Sequence, residues 1–216
     1  MNGPPAASDL RLQLAGTVDD IIAELGGAHA AREAALPACR AAIRASGSSI
    51  RALHRLDPVA AAELVGEAEA SIRTAQDVLA PYPAVASAGF LVDAEKELVE
   101  AVLLAALISG EPLPGPADLR VDPTSWMKGL AEAASELRRH TLDRLRDGDL
   151  ARGEELLGIM DDVFSALVPV DYPDALTGGL RRTLDALRAV LERTRGDVTT
   201  TVLQVRLQRA LERQAP

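Results

Sequence analysis

Apolar residues recur three and four positions apart through most of the chain, and strict alternation of apolar and polar positions is not seen. The first pattern puts the apolar residues of a segment on one helical face, whereas half-buried strands would need the second. It predicts helices over 8–25, 31–56, 58–79, 85–108, 123–148, 149–168 and 173–196, with a further helix over 197–213 carrying valine and leucine on one side. Breaks are expected at "GG" (Gly26), "LDP" (Asp57), "PYP" (Pro81), the proline-rich loop 110–123, "DGD" (Gly148) and "VDYPD" (Asp171). Glycine, proline and aspartate at these points end one helix or start the next. Seven helices with short connections predict an all-α bundle. The expected organisation is a helical extension over 1–26 followed by one helical domain over 27–216.

The segment "LVDAEKELVEAVLLAALISG" (91–110) is apolar nearly all the way round from Leu98 to Ile108, as in a helix surrounded by protein. Asp93, Glu97 and Glu100 nevertheless lie within about 60° of one another on its wheel, on the stripe continued by Phe90, Leu104 and Ile108. Acids there interrupt an apolar face. An ionised carboxylate taken out of water costs several kcal/mol unless a cation or hydrogen bonds meet it. Two of them one turn apart call for a shared partner, either a metal ion or buried arginines. Glu95 and Lys96 fall elsewhere on the wheel and read as solvated positions.

Composition narrows the partner. The chain has 216 residues, 48% of them apolar, enough for a substantial core. One cysteine, Cys39, excludes an internal disulfide and fits a reducing compartment, and three scattered histidines offer little for zinc or haem. Oxygen ligands are the plentiful kind. The start, "MNGPPAASDL", has neither the basic flank nor the apolar core of a signal peptide, and no charge-free apolar run nears ~20 residues. The expectation is a cytoplasmic protein with no membrane partner.

A net charge of -9 repels nucleic acid on average, but the arginines are not evenly spread. In "RAAIRASGSSIRALHR", Arg40, Arg44, Arg51 and Arg55 fall within about 60° on a wheel with Gly47 between them, and Ile43 and Ile50 point to an adjacent apolar face. No acid occurs between Glu33 and Asp57. Such a basic ridge follows a phosphate backbone or pairs with acids of a neighbouring helix or subunit. One tryptophan, two tyrosines and two phenylalanines are too few for a base-stacking platform. In "GLAEAASELRRHTLDRLRDGD", Glu132 and Glu136 stand one turn apart, opposite Leu130 and Leu137. Alone they read as a solvated face, with Glu136 pairing to Arg139 or His140. Beside Glu97 and Glu100 they make two consecutive helices, each with a carboxylate pair, able to converge on one hard cation.

These stretches resemble translin and its nuclease partner, translin-associated factor X (Trax), especially the archaeal and bacterial single-gene relatives. The resemblance runs from about Ala31 to Asp197 and is carried by "ACRAAIRASGSSIRALHR", "KELVEA", "GLAEAASELRRHTLDRLRDGD" and "DYPDALTGGLRRTLDALRAVLERTRGD". It implies a seven-helix fold assembling into a hollow homo-oligomer, typically an octamer, that binds single-stranded RNA or DNA. A translin-like partner subunit is a further implied partner. The Trax branch is a Mg2+-dependent endoribonuclease with acids facing the interior. Its Glu-x-x-Glu is matched by Glu97 and Glu100, which translin lacks, and its Asp and Glu four apart on the next helix by Glu132 and Glu136. Glutamate at 132 departs from the family's aspartate; its longer arm would reach a metal through a shifted carboxylate or through water.

The chemistry implied is metal-assisted phosphodiester hydrolysis. Glu97, Glu100, Glu132 and Glu136 would hold Mg2+ or Mn2+, hard ions that prefer oxygen. Arg40, Arg44, Arg51 and Arg55 would hold the RNA backbone without reading its sequence. Clustered acids should repel, and some should titrate unusually high. The alternatives are a non-catalytic translin-like single-strand binder and a carboxylate-bridged di-metal oxidoreductase. The latter needs Glu-x-x-His pairs, and no histidine here stands three residues after a glutamate.

Overall fold

A computed structural model describes residues 7–213; positions 1–6 of the expected extension and 214–216 of the expected domain lie outside the described residues. The described chain is helical, without strands. Its long helices are α1 (Ala7–His54), α2 (Pro58–Leu79), α4 (Phe90–Ser109), α6 (Pro123–Arg146), α7 (Leu150–Leu167) and α9 (Leu180–Glu212). Single turns, α3 (Pro83–Ala86), α5 (Pro116–Leu119) and α8 (Asp174–Thr177), lie in the connections.

Caps set the boundaries around the acidic helices. Asp57, Asp122 and Asp149 each accept a backbone N–H of the helix that follows, and Pro58 and Pro123 occupy first-turn positions where no N–H is needed. Gly110, at φ 74, closes α4 in the left-handed conformation. A glycine pair has opposite effects at two places. Gly178 and Gly179 both have positive φ and separate α8 from α9. At Gly26 the expected break is absent, and α1 runs straight through. A Cβ on Gly27 would lie 2.5 Å from the Tyr82 hydroxyl, so Gly27 permits a close approach within a helix and does not end one. The segment 197–213 likewise continues α9 and does not form a helix of its own.

α4 is the axis of the molecule. Its Leu91, Ala94 and Leu98 join α1 and α2 in a core with Ala35, Ala42, Ile72 and Leu79. Its Leu103, Leu104 and Leu107 join α6, α7 and α9 in a second core with Leu137, Met160, Leu187 and Leu191. Burial on both sides explains the all-round apolar pattern. The alanines of α1 (Ala31, Ala35, Ala42, Ala45) let α2 and α4 approach closely. Residues 9–26 of α1 are exposed, and no described helix is long and apolar enough to cross a membrane.

Candidate metal centre and nucleic-acid interface

α4 and α6 pack side by side, and the contact is tight at Gly129: a Cβ there would meet Val99 Cγ1 at 2.6 Å and the Lys96 carbonyl oxygen at 2.8 Å. The two backbones are therefore close one turn from the acids. Glu97 and Glu100 from α4 and Glu132 from α6 each direct a carboxylate oxygen into a group whose atoms lie within 4.8 Å of one another. No other three His, Cys, Asp or Glu residues do so among the described residues. Glu100 keeps 9% of its surface, and Asp93, on the same stripe, is exposed.

Glu136 does not join the group of three. Its Oε2 accepts a hydrogen bond from His54 Nε2 at 2.8 Å, across from α1. The expected pairing with Arg139 or His140 is absent; His140 instead stacks on His54 with ring centroids 5.0 Å apart. His54 Nδ1 and His140 Nε2 are buried without a hydrogen-bond partner.

Lys96 and Glu95 are not solvated positions. Lys96 Nζ donates to Glu97 Oε1 at 3.0 Å and to Glu132 Oε2 at 2.5 Å, with 15% of its side chain exposed. Glu95 keeps 5% of its surface and accepts from the Gln76 side chain, the Asp122 backbone N–H and the Ser125 hydroxyl. It ties α2, α4 and the start of α6 together. Wheel angle alone hid both: Lys96 lies one residue from Glu97, and its four-carbon stem spans the arc that separates them.

The acids strain one another. Burial, then the charges of Glu132 and Glu97, push the Glu100 carboxyl up to about 8, with Lys96 opposing and Glu136 adding to the rise. Burial alone would lower the Lys96 ammonium; its hydrogen bonds to Glu132 and Glu97 outweigh it and hold the group above its ordinary range. Burial, then neighbouring His54, lowers His140 to about 4.

A hard divalent ion fits this donor set. Mg2+ takes oxygens at about 2.0–2.1 Å in an octahedron, so adjacent ligands stand about 3 Å apart and opposite ones about 4 Å. The three carboxylate oxygens, within 4.8 Å of one another, span little more than the width of such a shell. Oxygen donors without thiolate or imidazole suit Mg2+ and Mn2+.

Arg40, Arg44 and Arg51 lie exposed along α1, and Arg55 is exposed in the turn after it. None pairs with an acid among the described residues. Arg51 Nη2 donates to Ser48 Oγ at 2.8 Å. His54, which holds Glu136, sits between Arg51 and Arg55 in the sequence.

No family model matches the chain. It is 31% identical over 126 residues to an uncharacterized protein of Methanocaldococcus jannaschii, a match covering 58% of this chain and 56% of that protein, so about half the relative's length. The crystal structure of Archaeoglobus C3PO superposes with a TM-score of 0.79 at 31% identity, covering 87% of this chain and 98% of the other. The chain belongs to the translin and Trax family. The complex of the same C3PO with duplex RNA matches at a TM-score of 0.71, again 31% identical, covering 87% of this chain and 97% of that one. Apo C3PO from Nematostella shares the fold at 20% identity and a TM-score of 0.75, covering 85% and 96% of the two chains. Within the translin and Trax family fold, the helix pair α4 and α6 carries the acids, and α1 with the turn that follows it carries the arginines.

Proposed function

We propose that this protein is a Mg2+- or Mn2+-dependent RNA endonuclease, acting on single-stranded RNA in the cytoplasm as a homo-oligomer, with an octamer as the form the resemblance implies. The observation that carries it is the convergence of Glu97, Glu100 and Glu132 from two helices, with Glu100 inside the protein among like charges. A half-buried carboxylate group of this kind is stabilised by a cation.

When bound, the ion supplies Lewis acidity at a phosphoryl oxygen and a more acidic water. Glu97, Glu100 and Glu132 would hold it. Glu136, outside that group and hydrogen-bonded to His54, would be available as a proton acceptor. Arg40, Arg44, Arg51 and Arg55 contact phosphates along α1, fixing the strand's position without reading bases.

The Archaeoglobus relative's complex with duplex RNA makes double-stranded RNA a second substrate form to compare. A second reading, a non-catalytic translin-like binder of RNA or single-stranded DNA, is favoured by Lys96, whose ion pairs give Glu97 and Glu132 a structural partner. A labelled-RNA assay separates the two. Cleavage in Mg2+ or Mn2+ that EDTA stops supports the nuclease; retention of RNA with no cleavage in either metal supports the binder.

A further inference from the structure

The ion pairs of Lys96 engage members of the carboxylate group itself. Its Nζ bonds Glu97 on its own helix and Glu132 on α6, which are two of the three acids proposed to hold the metal. An ammonium has three donors and no acceptor, so it serves these carboxylates as a compact cation. With only 15% of the side chain exposed, it is packed into the site, on a stem of four flexible carbons.

We infer that Lys96 is the built-in counter-ion of the carboxylate site and that a divalent cation must displace it. This rests on the metal reading above. The two cations draw on the same two carboxylates. They cannot stand at adjacent positions without like-charge repulsion in a half-buried site. Ammonium and metal therefore alternate. The lysine neutralises the acids when the metal is away and sets the metal concentration at which the site fills. The displaced ammonium remains tethered within a side chain's length of the acids, where it meets a phosphate anion.

Electron paramagnetic resonance of free Mn2+ measures the competition in the full-length protein. Lys96→Met should bind Mn2+ at least tenfold more tightly than wild type, and Lys96→Arg, which keeps a cation, should stay weak. Without metal, Lys96→Met should melt below wild type, and saturating Mn2+ should close the gap. If Lys96→Met does not fold, Lys96→Gln, with an amide donor and no charge, provides the same comparison. Equal or weaker Mn2+ binding without the lysine overturns this inference alone. No Mn2+ binding by wild type or by either neutral variant overturns both it and the metal reading.

Discussion

Glu100 is where the sequence's tension between apolar face and acid becomes measurable. A glutamate carboxyl ordinarily ionises at 4.5, and this one at about 8. Between those values the unfolded chain has released a proton that the folded chain keeps, so this group's contribution to stability falls as pH rises from 4.5 to about 8. His140 acts in the opposite direction. Its ordinary value is 6.5 and its folded value about 4, so the unfolded chain takes up a proton first and stability falls as pH drops through that interval. Glu100→Gln keeps the volume and removes the ionisation. Its unfolding free energy, read from urea denaturation, should therefore gain on wild type steadily from pH 5 to pH 8 in the absence of metal, by no more than about 4 kcal/mol. A constant difference across that range would contradict the assignment. Glu97 and Glu100 were legible in the sequence because they break an otherwise apolar stripe. Lys96, Glu95 and His54 were not: the first two depend on side-chain reach across a helix pair, and His54 meets Glu136 only through a contact 82 residues away in sequence.

At the scale of elements, the site depends on how closely α4 and α6 approach. Gly129→Ala puts a methyl group against Val99 and the Lys96 carbonyl, where backbone must move. The expected cost is about 1–3 kcal/mol in thermal or urea unfolding, with Mn2+ affinity falling as Glu132 is carried away from Glu97 and Glu100. Unchanged stability and affinity would mean that the helix spacing does not set the site. Glu95 locks the same pair about one turn earlier, and Glu95→Ala, which leaves Gln76 and the Asp122 N–H without their acceptor, should cost about 2–4 kcal/mol. The helices themselves were readable from periodicity. Their joins were less so, because a glycine pair reads alike whether it reverses the chain, as at Gly178 and Gly179, or admits a neighbouring ring, as Gly27 admits Tyr82.

At the scale of the whole molecule, two surfaces remain to be covered. Leu14, Val18, Ile21 and Leu25 on α1 and Leu203, Leu207 and Leu211 on α9 are exposed apolar residues at helical spacing. Light scattering should find a species several times the 22.7 kDa chain. Replacing Val18 and Ile21 with Asp should shrink it while helicity is kept. A wild-type monomer would remove the oligomer from the account. The arginine ridge is the second surface. Arg44→Ala with Arg51→Ala should weaken RNA binding and lower the slope of log affinity against log salt by about 1.4, two phosphate contacts at roughly 0.7 each. An unaltered slope would assign the ridge to packing between copies. The amino-acid pattern identified the ridge, but whether intramolecular acids neutralise it could be read only from the folded chain.

The central claim, that Glu97, Glu100 and Glu132 form a divalent-cation site, is tested most directly by the anomalous scattering of Mn2+ in crystals of the wild-type protein. A peak about 2.2 Å from oxygens of all three glutamates, with Lys96 Nζ moved off Glu97 and Glu132, is the predicted result. Lys96 still bonded to both acids at saturating Mn2+, with no peak between the three carboxylates, would contradict it.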